Sequence, residues 1–144
     1  RMFGRKKKFK ILVAEDEENI RNIIQFTLEA KGYEVIPVDN GVNAMIEVRK
    51  QKPDLVMLDV MMPGKNGLEV CYEIKNDPKL RAIPVMIVTA TTQVSTKSDE
   101  HWRVRSRADD FITKPFKSAD LLQRVGKMLE ASEEGSEGRG KLRI

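Results

Sequence analysis

A single cysteine and a single histidine stand in the 144 residues. Cys71 therefore has no partner for an internal disulfide, and its helical surroundings read as a buried structural thiol of a reducing cytoplasm. His101, without a second histidine, is read neither as a phosphohistidine nor as a metal ligand. No apolar run approaches the roughly 18 residues of a membrane helix, and Phe9 to Ala14 is too short and wrongly flanked for a signal peptide. No membrane contact is expected. Neither G-x-G-x-x-G nor G-x-x-x-x-G-K occurs, which argues against a flavin or nucleotide cofactor held on a glycine-rich loop.

The chain also lacks an evenly spread basic surface, despite a net charge of +4. Arg1, Arg5, Lys6, Lys7, Lys8 and Lys10 carry six positive charges, and the last twelve residues cancel among themselves, so residues 11–132 are left at −2. The fold is not basic, and nucleic-acid binding by this domain is not expected. Residues 1–8 read as a solvated basic leader. The chain begins with Arg rather than Met, which fits a processed chain or a fragment.

What is present is an alternation of short apolar runs and amphipathic stretches. Ile11 to Ala14 reads as a strand, and Ile20, Ile23, Ile24 and Leu28 at helical spacing place the next helix, stopped at Gly32. Glu34 to Val38 is a strand assigned to a sheet edge, because Pro37 has no N–H to give a central ladder. Val42, Met45, Ile46 and Val48 mark a helix ending before Pro53. Leu55 to Leu58 is a strand buried on both faces, followed by a helix through Leu68, Val70, Cys71 and Ile74. Val85 to Val88 is a fourth strand. The polar stretch Thr91 to Arg107 contains a predicted fourth helix from about Ser98. Phe111 to Thr113 is the last strand, and Ser118 caps a helix with Leu121, Leu122, Val125, Met128 and Leu129 inward. From residue 132 to 144 little remains to bury, and a flexible tail or linker is expected. Five strands alternating with five helices predict a doubly wound parallel sheet of order 2-1-3-4-5 with helices on both faces.

Polar residues then fall at the carboxyl ends of four strands: Glu15, Asp16 and Glu17, then Asp59, Thr89 and Lys114. In a parallel sheet those ends share one rim, where ligands bind. Three close carboxylates raise one another's pKa unless a cation joins them. Hard carboxylate oxygens suit Mg²⁺, with Asp16 and Asp59 as direct ligands and Glu15 acting through a bound water. A carboxylate is also a nucleophile for phosphoryl groups. Mg²⁺ and the Lys114 ammonium would offset charge on the phosphoryl oxygens, and the Thr89 hydroxyl would donate to one of them. Taken singly, each residue has a plainer reading: a helix cap for the acidic pair, a strand former for Thr89, a surface charge for Lys114.

Together these segments resemble a response-regulator receiver domain of two-component signalling. Ile11 to Glu17 resembles the family's first acidic motif, Leu58 to Gly64 its phosphorylation motif, Val88-Thr-Ala90 its switch-hydroxyl motif, and Thr113-Lys-Pro-Phe116 its lysine motif, over about residues 9–131. The resemblance implies a flavodoxin-like fold and phosphorylation of Asp59 by a histidine kinase or phosphotransfer protein. It implies Mg²⁺ at Asp16, Asp59 and the Met61 carbonyl with Glu15 in support, and slow self-catalysed dephosphorylation rather than turnover of an external substrate. It makes Thr89 and Phe111 a switch pair that repacks the face of the predicted fourth helix and fifth strand, where a downstream effector would dock. From the residues alone, Phe111 is a plain core aromatic. The Lys114-Pro115 bond is often cis in this family.

Two departures stand out. Glu15 takes a position often held by Asp, and Arg107 takes one usually held by Gly, where a left-handed residue ends the fourth helix; an Arg there costs about 1 kcal/mol or forces another ending. Trp102 lies in the same apolar-poor segment. Thr91 and Met61, near the rim, are expected to tune the phosphoryl lifetime. The rival reading is a receiver-like interaction module that works without phosphorylation. The chain is expected to be a stand-alone receiver or a receiver from a longer regulator.

Overall fold

In the computed structural model, residues 8–90 and 107–142 are described, 134–142 by backbone alone. The element order is β1 (Lys10–Ala14), α1 (Glu18–Ala30), β2 (Glu34–Val38), α2 (Gly41–Gln51), β3 (Leu55–Asp59), α3 (Gly67–Lys75), β4 (Val85–Ala90), β5 (Asp110–Lys114) and α4 (Ser118–Leu142). The last of these is the fifth helix of the sequence reading. The predicted helix from Ser98, together with Thr91, His101 and Trp102, lies outside the described residues, as do residues 1–7 of the basic leader.

All strand pairs are parallel, in the order β2-β1-β3-β4-β5. β3 is buried along its whole length, as its unbroken apolar run requires of a strand covered on both faces. β2 lies at the edge, where Pro37 is harmless. Side-chain alternation splits the core in two. Leu12, Val56, Leu58, Val85 and Ile87 pack with α2 and α3 on one face. Ile11, Val13, Leu55, Met57, Met86, Val88 and Ile112 pack with α1 and α4 on the other. The helices therefore cover both sides of the sheet.

Helix starts follow their polar residues. Asn40 caps α2 by accepting from the Asn43 N–H, and Asn66 with Glu69 forms a reciprocal capping box on α3. Three apolar positions differ from expectation: Ile23, Val42 and Ile46 are 58%, 49% and 54% exposed. Each helix buries a narrower stripe than its apolar spacing drew, with Ile24 and Leu28 carrying α1 and Ala44, Met45 and Val48 carrying α2.

α4 continues as helix to Leu142, across residues read from the sequence as a flexible tail or linker. The apolar pattern stops at Leu129, but once a packed helix exists each further residue adds a hydrogen bond without a new nucleus. Burial is not required for that.

Candidate functional site

The carboxyl ends of β1, β3 and β5 meet at one rim. Glu15 follows β1 directly, and its N–H still bonds the Val38 carbonyl of β2 at 3.1 Å, so the strand's direction carries through it. Asp59 and Lys114 are the last residues of β3 and β5. Asp59 has the strand parity of Leu55 and Met57, and Lys114 that of Ile112; all three apolar residues belong to the core facing α1 and α4. The parity of Glu15 matches through Ile11 and Val13. Three far-separated residues are thus aimed together by alternation alone.

The structure brings these groups into contact. The Lys114 ammonium sits 3.0 Å from Glu15 Oε1 and 3.2 Å from Asp59 Oδ1. Those two oxygens are buried and find no aligned hydrogen bond among the described residues, so the ion pairs are their compensation. Glu15 and Asp59 are only 1% and 3% exposed, whereas Asp16 is open to solvent. One ligand oxygen from each of Glu15, Asp16 and Asp59 lies within 4.8 Å of the others. Beside Asp16 opens a cleft of about 430 Å³ lined also by Asp39, Asn40, Pro63 and Gly64.

Electrostatics follow from this crowding. Burial first, and then the Glu15 charge, push the Asp59 carboxyl up to about 7, against the pull of Lys114. Lys114 also loses solvation, yet its bonds to Glu15 and Asp59 outweigh that loss and hold its ammonium above the ordinary lysine range. One lysine does not neutralise the cluster. A hard divalent cation fits the donor set, since Glu15, Asp16 and Asp59 each offer it one close carboxylate oxygen.

Thr89 and Phe111 take the opposite parity, on the face of α2 and α3. Thr89 is 1% exposed and pairs in register with Thr113, and Ile87 pairs with Phe111. The Thr89 hydroxyl donates to the Ala90 carbonyl at 3.1 Å. Phe111 is half-buried against the α2/α3 core, two residues from Thr113 on the same strand face. Met61 is 59% exposed on the loop after β3. The Lys114-Pro115 bond is cis.

Several residues around the rim escaped the sequence reading. A Cβ added to Gly67 would fall 2.2 Å from the Asp59 carbonyl oxygen, so the start of α3 is pressed against the end of β3. The glycine spacing was visible, but only as punctuation. Arg21 of α1 donates to the Glu15 carbonyl at 2.8 Å. At the far end of the sheet, Lys75 is 9% exposed, with its ammonium on the Arg81 and Ile83 carbonyls and on Asp109.

The sheet order and the covering helices define a flavodoxin-like α/β domain, with a lysine-bridged acidic pocket at its carboxyl rim. The chain belongs to the response regulator receiver domain family, whose pattern matches residues 11–126, and so to two-component signal transduction. It is 36% identical over 127 residues to the phosphate regulon transcriptional regulatory protein PhoB of Rhizobium meliloti (strain 1021), covering 86% of this chain and 53% of that protein. It is 37% identical over 124 residues to the alkaline phosphatase synthesis transcriptional regulatory protein PhoP of Bacillus subtilis (strain 168), covering 86% of this chain and 50% of that one. The chain thus spans about half the length of these curated relatives. Among solved structures, the signal receiver domain of a signal transduction histidine kinase from Syntrophus aciditrophicus superposes with a TM-score of 0.79 at 35% identity, over 85% of this chain and 91% of that one. A CheY-like receiver domain protein from Methanospirillum hungatei JF-1 shares the fold with a TM-score of 0.81 at 21% identity, over 90% and 99%. No helix among the described residues is long and apolar enough to cross a membrane.

Proposed function

We propose that this receiver, over residues 9–131, is a phosphorylatable switch whose acceptor is Asp59. The observation that carries the reading is the Asp59 carboxylate, buried to 3% exposure yet clustered with Glu15 and Asp16 and 3.2 Å from Lys114. An Asp59 oxygen would attack the phosphorus of a phosphohistidine on a histidine kinase or phosphotransfer protein. The P–O bond of an acyl phosphate forms as the P–N bond breaks, and the leaving imidazole takes up a proton. Lys114 offsets charge on the transferred group, and the Thr89 hydroxyl, which donates to the Ala90 carbonyl at 3.1 Å, would turn to donate to a phosphoryl oxygen instead.

Glu15, Asp16, Asp59 and the Met61 carbonyl would hold Mg²⁺. That ion, when bound, screens the carboxylates and the incoming phosphoryl oxygens. The Thr89 movement would be read at Phe111, which lies on the same sheet face, and would present the surface around β5 to a downstream effector.

The test is intact-protein mass spectrometry after incubation with acetyl phosphate and Mg²⁺, for wild type, Asp59→Asn and a Mg²⁺-free control. One added phosphoryl group in the wild type alone is expected. No addition from acetyl phosphate or from a phosphorylated kinase would overturn the reading in favour of an interaction module that works without phosphorylation.

A further inference from the structure

The loop from β1 to α1 carries two of the three clustered carboxylates, yet it lacks the usual lock at a helix start. Its N-cap, Glu17, makes no side-chain cap bond, whereas Asn40 and Asn66 cap α2 and α3. The loop is held instead through Glu15. The Glu15 N–H bonds Val38, its Oε2 accepts from the Glu17 N–H at 3.1 Å, and its Oε1 pairs with Lys114 at 3.0 Å. The remaining group is the Glu15 carbonyl, and Arg21 Nη1 donates to it at 2.8 Å.

Arg21 stands in the first turns of α1, its own N–H bonded to the Glu17 carbonyl at 2.9 Å. Helical side chains lean toward the helix N-terminus, so its guanidinium reaches back over the loop. The side chain is half-buried, which limits competition from water for that bond. The carbonyl it holds belongs to the peptide that joins Glu15 to Asp16. Rotation of that peptide moves the Asp16 Cα relative to the fixed Glu15 side chain. Asp16, being exposed, has little packing of its own to resist such a swing.

We propose that Arg21 is a positioning residue for divalent-cation binding: by clamping the Glu15 carbonyl it sets the Glu15–Asp16 peptide and keeps Asp16 in range of Asp59. The inference rests on the proposed acidic site, but it makes a separate prediction of sign. A guanidinium acting only as a nearby positive charge would repel Mg²⁺, and its removal would tighten binding. A guanidinium that holds the loop in place does the opposite. Partners that orient metal ligands from behind are typically worth 10- to 100-fold in affinity.

The experiment is calorimetric titration of the unphosphorylated protein with MgCl₂, without any phosphodonor, for wild type, Arg21→Ala and Arg21→Lys, with urea midpoints as a check on folding. Arg21→Ala is expected to weaken Mg²⁺ binding about tenfold or more. Arg21→Lys, whose ammonium still donates to a carbonyl, is expected to recover most of it. Unchanged or tighter binding in folded Arg21→Ala would overturn the proposal. Should Arg21→Ala not fold, Arg21→Met takes its place as a variant that keeps the apolar stem but has no donor for the carbonyl, and binding as tight as wild type there would overturn the proposal equally. Wild type that binds Mg²⁺ but takes up no phosphoryl group would overturn the switch reading while leaving Arg21 to be judged by affinity; wild type that binds no Mg²⁺ would overturn both.

Discussion

Gly67 and Asp59 touch through their backbones: a Cβ on Gly67 would lie 2.2 Å from the Asp59 carbonyl oxygen and 2.8 Å from its carbonyl carbon. The Gly67 N–H also bonds the Val60 carbonyl at 3.0 Å, which fixes the first turn of α3 on the loop that leaves Asp59.

Gly67→Ala must therefore move either α3 or the end of β3. Neither is flexible side chain, so the expected cost is about 1–3 kcal/mol of stability, as for other overpacked sites. Because the atom displaced belongs to the proposed acceptor residue, phosphoryl uptake from acetyl phosphate should fall more than stability alone explains. Urea denaturation and mass spectrometry on the same samples separate the two effects. Wild-type uptake by a fully folded variant would show that the contact does not position Asp59.

The raised pKa of Asp59 gives metal-free protein an unusual pH dependence. With the carboxyl at about 7 in the folded state, against an ordinary carboxylate in the unfolded chain, the native protein holds a proton that the unfolded chain has already released. Stability should therefore decline as pH rises from about 4 to about 7. Asp59→Asn should flatten that decline, and saturating Mg²⁺ should remove it. Urea midpoints in EDTA between those limits measure it. An equal slope in Asp59→Asn would assign the effect to another group.

Much of this arrangement was legible in the sequence because sheet geometry is periodic. Pro37 marked the edge strand, the unbroken run Leu55 to Leu58 marked the centre, and residues at the ends of parallel strands must share a rim. What stayed hidden depends on distances that no period encodes. The exposure of Ile23 and Ile46 follows from how far each helix rolls over its face of the sheet. The Arg21 clamp and the Lys75 cluster join side chains to main-chain carbonyls elsewhere in the chain, and a carbonyl has no letter in the sequence.

Lys75 illustrates the energetic side of that blindness. Its ammonium has three oxygen partners, the Arg81 carbonyl at 3.1 Å and the Ile83 carbonyl and Asp109 Oδ2 at 2.8 Å each. Asp109 in turn accepts from the Val85 N–H at 2.8 Å, tying the start of β4 to the approach to β5. Lys75→Met keeps the stem's packing but strands two carbonyls. The Asp109 side chain is 45% exposed and rehydrates, so the expected loss is about 1–3 kcal/mol rather than that of a fully buried broken pair. A thermal or urea midpoint equal to wild type would show that water replaces the ammonium without cost.

Arg107 combines a strained backbone with a favourable side chain. Its φ of +59° is left-handed, a conformation that costs a residue with a Cβ about 1–2 kcal/mol. Its Nη2 donates at 2.8 Å to the Lys75 carbonyl in the last turn of α3, where a cation also meets the negative end of the helix. The two effects are of similar size, which explains how an arginine occupies a position suited to glycine. Arg107→Ala keeps the strain and loses the bond, and should destabilise by about 1–2 kcal/mol. Arg107→Gly loses both, and should remain within about 1 kcal/mol of wild type. Equilibrium urea unfolding of the pair distinguishes them, and equal destabilisation by Gly and Ala would show that the left-handed strain is not what the arginine offsets.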